Sequence, residues 1–222
     1  MTKSDPSSAP HADDKDDQVV SQYAWKADEY DARWAFYIEA TVRETLRRTP
    51  LKSGQSLLDV GCGTGALLRA LSKTHPDAKL TGIDPTREML SLAGDRLPER
   101  VILKHGRAED LPCEDKSFDV ALSCNMFHYL REPMRALREF SRVLKPGGAL
   151  VLTDWCHDYL ACKLCHIYLS CFDPAHFTVY GTADCRELLT EAGFRDVEVE
   201  RYKINWLWGM MTVKALSPAG PS

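Results

Sequence analysis

With 222 residues, 44% of them hydrophobic, the chain can bury one substantial core, and a single globular domain is expected. A formal charge of −4 and the lack of any Lys/Arg cluster leave no electrostatic footprint for a polyanion, which argues against nucleic acid as a partner. No long apolar run and no basic-then-apolar leader occur, so neither a membrane span nor a secretory signal is expected, the cytoplasm is the expected compartment, and the eight cysteines are expected mostly as free thiols.

Residues 1–17 mix Ser, Pro, Lys and Asp with almost nothing apolar, a composition that cannot offset the entropy of ordering, and they read as a disordered tail. The rest, 18–222, reads as one domain. From Tyr23 onward Ala27, Tyr30, Trp34 and Tyr37 or Ile38 recur at spacings of three and four, so 18–49 reads as one or two helices ending before Pro50, whose stripe either packs against the sheet or covers a ligand site. The run Leu57-Leu58-Asp59-Val60 then breaks into Gly61-Cys62-Gly63-Thr64-Gly65 before a helical stretch from Ala66, the pattern of strand, tight loop and helix. Glycines at alternate positions let a ligand approach the backbone, and the following helix N-terminus offers unpaired N–H groups, so a nucleotide-like ligand is expected here. The spacing G-x-G-x-G is not the dinucleotide fingerprint, and no Lys-Ser/Thr follows, which disfavours both a nicotinamide cofactor and ATP.

Lys79 to Asp84 reads as a second strand. An acid roughly 20 residues beyond the glycine loop of a βαβ unit can accept both hydroxyls of a ribose, which assigns that role to Asp84, and Pro85 suits the start of the next helix. Met89 can present an apolar face to a base or simply fill core. Val101 to Lys104 and Phe118 to Cys124 are the third and fourth strands. Ligands of open α/β sheets sit at the carboxyl ends of strands, so Cys124, Asn125, Phe127 and His128 are expected to face the reacting centre. A histidine can act as a general base, so His128 is a base candidate, with a structural role as the alternative. A helix from Arg135 to Leu144 is stopped by Lys145-Pro146-Gly147-Gly148, and Ala149 to Asp154 is the fifth strand.

Four of these segments occur in a familiar order: LLDVGCGTG at 57–65, Gly82-Ile83-Asp84, Ala108-Glu109-Asp110-Leu111-Pro112 with Ser117-Phe118-Asp119, and Arg142-Val143-Leu144-Lys145-Pro146-Gly147-Gly148. From about Tyr23 to the C-terminus the chain resembles the class I S-adenosylmethionine (SAM) dependent methyltransferases, and among them the small-molecule branch called type 11. The resemblance implies an α/β fold: a Rossmann-like seven-stranded, mostly parallel sheet with helices on both faces, the last strand antiparallel, and an N-terminal helical cover. It implies SAM as cofactor, held by Asp59, Gly61, Cys62, Gly63, Gly65, Asp84, Pro85, Met89, Ala108, Cys124 and Asn125. Glu109 or Asp110 would read the adenine amino group, and Tyr30, in a Tyr-Asp pair with Asp31, would close over the cofactor. The implied reaction is methyl transfer to a small-molecule acceptor, with His128, Asp154 and Tyr159 as catalytic candidates and Tyr23, Phe127, His128, Trp155 and His176 as acceptor-side candidates. A SAM-binding regulatory or assembly protein is the alternative, and oligomeric state stays open.

The stretch from Trp155 to Cys171 departs from a plain member of that family. Cys162 and Cys165 form C-x-x-C, with Cys156, His157, His166 and Cys171 nearby, so a thiolate site for a soft metal or metalloid is one reading. The other is a helix whose cysteines act as small core hydrophobes, which the burial preference of Cys favours, and no metal ligand set is assigned. Segment 155–181 is expected as an acceptor-side insertion, with an aromatic loop from Phe172 to Tyr180 as a lid. A helix capped by Thr182 and stopped by Gly193 precedes two final strands, Val197 to Tyr202 and Trp208 to Leu216.

Overall fold

The computed structural model of the chain describes residues 34–172, 178–206 and 208–219. Seven strands, β1 (Ser56–Val60), β2 (Lys79–Asp84), β3 (Ile102–His105), β4 (Phe118–Cys124), β5 (Leu144–Trp155), β6 (Arg195–Lys203) and β7 (Gly209–Leu216), form one sheet in the order β3-β2-β1-β4-β5-β7-β6. Strands β1 to β5 pair in parallel, and β7 runs antiparallel to both of its neighbours, β5 and β6. The helices are α1 (34–48), α2 (Ala66–Thr74), α3 (Arg87–Arg96), α4 (Pro133–Val143), α5 (Leu160–Phe172) and α6 (Thr182–Glu191), with one 3₁₀ turn at Phe127–Tyr129.

The central strands are nearly continuous apolar runs because both of their faces are covered. Their alternation sorts side chains into two layers. Leu58, Val60, Ala121, Leu150 and Leu152 pack with Leu137 and Phe140 of α4 and Leu189 of α6. Leu57, Leu122 and Val151 pack on the other side with Leu67, Leu68 and Leu71 of α2, and Val42 and Leu46 of α1 lie against them. Chain order reverses at β1 and β4, which opens a crevice at the carboxyl ends of those strands.

Helix α1 is tethered as well as packed. Thr45 Oγ1 donates to Thr153 Oγ1 at 2.8 Å, Thr153 meets Thr212 at 2.9 Å, and Thr212 meets the Tyr202 hydroxyl at 2.9 Å, a buried hydroxyl chain from α1 through β5 and β7 to β6. Arg48, almost wholly buried, grips Glu200 of β6 with two bonds of 2.8 and 2.6 Å and Glu44 with one of 2.7 Å, and its guanidinium lies 4.2 Å above the Tyr202 ring.

Three boundaries differ from expectation. Lys145 to Gly148 do not form a separate turn: β5 begins at Leu144, directly where α4 ends, and Gly147 adopts φ 73° inside the strand beside a register shift against β4. The reason is that Phe118 pairs with Leu144, which pulls the segment into the sheet. Helix α3 begins at Arg87 with Thr86 as its N-cap, so Pro85 lies ahead of the helix. Helix α6 has Gly181 as N-cap, and its first turn is satisfied by Asp184, which accepts from the Gly181 N–H at 2.7 Å, and by Asp158, which accepts from the Thr182 hydroxyl at 2.7 Å. Among the described residues, no helix is long and apolar enough to cross a membrane.

Candidate functional site

An open cavity of about 1190 Å³, its mouth included, lies where β1, β2 and β4 end beneath α1. Its floor is the glycine loop. Gly61, Gly63 and Gly65 all have left-handed backbone, with φ of 75°, 50° and 79°. The Gly61 and Cys62 N–H groups donate to the Ile83 carbonyl at 2.8 and 3.0 Å, which fixes the loop against β2. A Cβ at Gly61 would fall 2.5 Å from Cγ of Met126, whereas at Gly63 it would meet nothing within 4 Å. The two glycines therefore differ in purpose: one admits a neighbouring side chain, the other leaves open space above the start of α2.

Two carboxyls face this space. Asp84 is held at both oxygens, Oδ2 accepting the Gly63 N–H at 2.8 Å and Oδ1 the Thr86 N–H at 2.9 Å. Burial still pushes its pKa upward, the two amides pulling the other way. Asp59, only 2% exposed, has its pKa pushed up to about 7, first by burial and then by the charge of Asp84. A group bringing positive charge or hydroxyl donors would relieve both carboxylates. Beyond Asp84 lie Pro85, Met89, Ala108 and Glu109, an apolar wall with one acid at its rim.

The opposite end is built by β4, β5 and α1. Asn125 follows β4 in left-handed conformation, φ 59°, which Asn tolerates better than most residues. Its side chain donates to Thr41 Oγ1 and accepts from the Tyr37 hydroxyl, both at 2.8 Å, and that hydroxyl accepts from Trp155 Nε1 at 2.5 Å. Just behind, Asp154 clamps His128: one carboxylate oxygen is 2.7 Å from Nδ1 and the other accepts the His128 backbone N–H at 2.9 Å. The imidazole is stacked on Trp155, ring centres 5.4 Å apart.

Of the expected cofactor residues, Asp59, Gly61, Cys62, Gly63, Asp84, Pro85, Met89, Ala108, Glu109, Cys124 and Asn125 all line the cavity. Gly65 does not line it; its absent side chain makes room for Leu97 instead. Of the two acids left open, Glu109 reaches the cavity, while Asp110 is exposed in a tight turn closed by its N–H on the Arg107 carbonyl. Phe127 does not form a wall. It is buried against Tyr180, ring centres 5.2 Å apart, because the 3₁₀ turn directs it into the core. Tyr159 packs over Gly209 beneath Arg201 and Lys203, away from the cavity lining. His128, Asp154 and Trp155 sit behind the lining as one bonded and stacked unit. Tyr23, Tyr30 and His176, like residues 1–17, lie outside the described residues.

The sequence reading missed Ile38 and Val42 of α1, and Thr64, Thr86 and Tyr129, all of which line the cavity. Tyr129, an aromatic beside His128, and Ile38 and Val42, on the apolar stripe of the N-terminal helix, carried a signal in the sequence; Thr64 and Thr86 carried none. In the cysteine segment, Cys162 is buried and its thiol donates to the Gly209 carbonyl at 3.3 Å, and Cys156 is buried beside it with its thiol pKa pushed up to about 11 by desolvation. Cys165 is only partly buried, so C-x-x-C presents one residue to the core and one toward the surface. Among the described residues no group of three or more His, Cys, Asp or Glu is placed to hold a metal ion.

A family described as a methyltransferase domain matches residues 58–152, from β1 into β5. An O-methyltransferase of Pyrenophora dematioidea is 32% identical over 194 residues, covering 82% of this chain and 70% of the relative. The 27-O-demethylrifamycin SV methyltransferase of Amycolatopsis mediterranei (strain S699) is 36% identical over 125 residues, 53% of this chain, and the match spans only 46% of that enzyme. Among solved structures, phosphoethanolamine N-methyltransferase 2 of Haemonchus contortus in complex with S-adenosyl-L-methionine superposes with a TM-score of 0.69 at 21% identity, over 80% of this chain and 52% of the other, a likeness of fold. With a relative of this identity and coverage, and the family match running through the glycine loop and the acid that ends β2, the chain belongs to the class I SAM-dependent methyltransferases.

Proposed function

We propose that this enzyme transfers the methyl group of SAM to a hydroxyl oxygen of a small-molecule acceptor, with the donor in the cavity beneath α1 and segment 155–181 on the acceptor side. The observation that carries the oxygen assignment is the His128–Asp154 pair, placed behind Asn125 at the carboxyl ends of β4 and β5. The named O-methylating relatives support it.

The cavity residues fit the cofactor. Asp84, already oriented by two amides, would accept the ribose hydroxyls, Met89 and Ala108 would flank the adenine, and Glu109 would accept from its amino group. Asp59, in the same lining, would meet the positively charged methionine end. SAM supplies a methyl carbon already activated by its sulfonium. The chain's residues have to hold donor and acceptor in line and keep water out. Asp154 occupies the Nδ1 side of His128, which leaves Nε2 as the nitrogen that takes the acceptor's hydroxyl proton.

The test is turnover with SAM carrying a ¹³C-methyl group over a panel of hydroxyl, amine and thiol acceptors, with NMR assignment of the labelled product. A methyl ether is the expected product. Labelled N-methyl or S-methyl products refute the oxygen assignment, and SAM binding without turnover on any acceptor moves the chain to a regulatory or assembly role.

A further inference from the structure

Six rings form a continuous arc at the Asn125 end of the cavity. Tyr129, which lines the cavity, lies 4.0 Å from His128, and His128 is stacked 5.4 Å from Trp155. Trp155 lies 4.8 Å from Trp208, Trp208 is 5.8 Å from Tyr37, and Tyr37 is 6.1 Å from Trp34. The arc returns to the cavity through the bond from the Tyr37 hydroxyl to Asn125. Four separate parts of the chain contribute to it: α1, the 3₁₀ turn after β4, the end of β5 and the residue entering β7.

Ordinary core packing does not account for this arc. The two core layers are built mainly of Leu, Val, Ala and Phe and contain no tryptophan, whereas all three tryptophans here keep part of their surface accessible, Trp34 to 37%. Three polar groups of the arc are already engaged: Trp155 Nε1 donates to the Tyr37 hydroxyl, that hydroxyl donates to Asn125, and His128 Nδ1 is bonded to Asp154. Fewer partners are left to replace the hydration that an acceptor rich in hydroxyls would lose. Among the described residues that line the cavity or form the arc, Arg107 is the one Lys or Arg, and it lies at the far end beside Glu109, so a phosphate or carboxylate would find no counter-charge. Flat apolar faces, in contrast, stack well on indole and phenol rings.

Resting on the proposed O-methylation, the geometry points to the arc of Trp34, Tyr37, Trp155 and Trp208 as an acceptor subsite for a planar, uncharged aromatic compound that carries a hydroxyl group.

The test uses the full chain with S-adenosylhomocysteine bound and three probes: 2,3-dihydroxynaphthalene, methyl glucoside and phosphoethanolamine. Saturation-transfer NMR should detect the naphthalene diol alone. Trp208→Ala should weaken its binding about tenfold and Trp208→Phe should restore most of it, as loss and recovery of one stacking face predict. The affinity for S-adenosylhomocysteine should stay unchanged in both. If Trp208→Ala does not fold, Trp34→Ala, at the accessible end of the arc, gives the same reading. Absence of diol binding, binding of the glucoside or phosphoethanolamine in its place, or an equal loss of S-adenosylhomocysteine affinity in Trp208→Ala would each overturn the assignment. An O-methylated glucoside would sink this subsite and leave the O-methylation reading standing; a C-methylated naphthalene diol would do the reverse.

Discussion

The donor and acceptor ends of the site are built from different material. The proposed donor end is centred on two neighbouring strand ends: left-handed glycines after β1 and the carboxylate that ends β2, whose oxygens are set by local amides. The acceptor end is side-chain chemistry gathered from α1, β4, β5 and β7, held by bonds between residues as far apart as Tyr37 and Trp155. One end therefore specifies a cofactor within a short stretch of chain, and the other takes shape only when the whole sheet is assembled.

The largest effect that tests this contrast is expected at the acceptor end. His128→Asn should lower kcat by about 10²- to 10⁴-fold, the usual worth of a positioned base, while the Kd for SAM stays unchanged. A matching loss of SAM affinity would show that the two ends are not separable. Asp84→Ala should do the opposite: two charge-assisted bonds to the ribose, on the order of 3 kcal/mol together, correspond to about a hundredfold weaker SAM binding by calorimetry. Retained affinity in that variant would move the ribose elsewhere.

Asp59 gives the donor end a pH signature. Its carboxyl, at about 7 in the cofactor-free protein, must ionise to meet the cationic donor, so SAM affinity should rise as pH passes up through about 7 and then level off. Asp59→Asn should flatten that profile. Stability runs the other way. The folded value lies above the unfolded one near 3.8, so the folded state binds the proton more tightly, and stability should fall as pH rises from about 4 to about 7. At pH 8 Asp59→Asn should therefore melt at a higher temperature than the parent when SAM is absent. A parent whose cofactor-free melting point is flat over that range would refute the assignment.

The smallest effect concerns the tether. Glu200→Gln removes the charge from the exposed partner of buried Arg48 and should cost about 1 to 2 kcal/mol of stability in denaturant titration. Faster amide exchange across 34–48 should accompany it, with exchange in β1 and β4 unaffected.

The same contrast governs what the sequence made legible. Alternating glycines need no partner to be recognised, and an acid at the end of the next strand follows from the βαβ unit, so Gly61, Gly63 and Asp84 were readable one by one. Asp154 and His128 were each nameable as candidates, yet their pairing depends on the parallel register of β4 with β5, which leaves no local trace. Phe127 was misplaced because position beside a strand end does not reveal which way a 3₁₀ turn directs its side chains. Arg48 reads as an ordinary surface residue of a basic helix end, and only β6 at the far edge of the sheet makes it a buried anchor. Lys145 to Gly148 look like a turn in isolation because Pro and Gly dominate the segment, and the pairing of Leu144 with Phe118 overrides that local preference.

Because α1 is secured to Glu200 on β6, the helix is synthesised well before the strand that carries its ionic anchor. At roughly 10 residues per second, the stretch between them takes about 15 s to synthesise. Late in that interval α1 over the glycine loop and Asp84 has its contacts to β4 and β5 but not its clasp to β6. The Arg48–Glu200 clasp thereby joins an early helix to a late strand: a chain truncated before β6 keeps the packing of Val42 and Leu46 and the bond from Thr45 to Thr153, but loses the ion pair that fixes the end of α1.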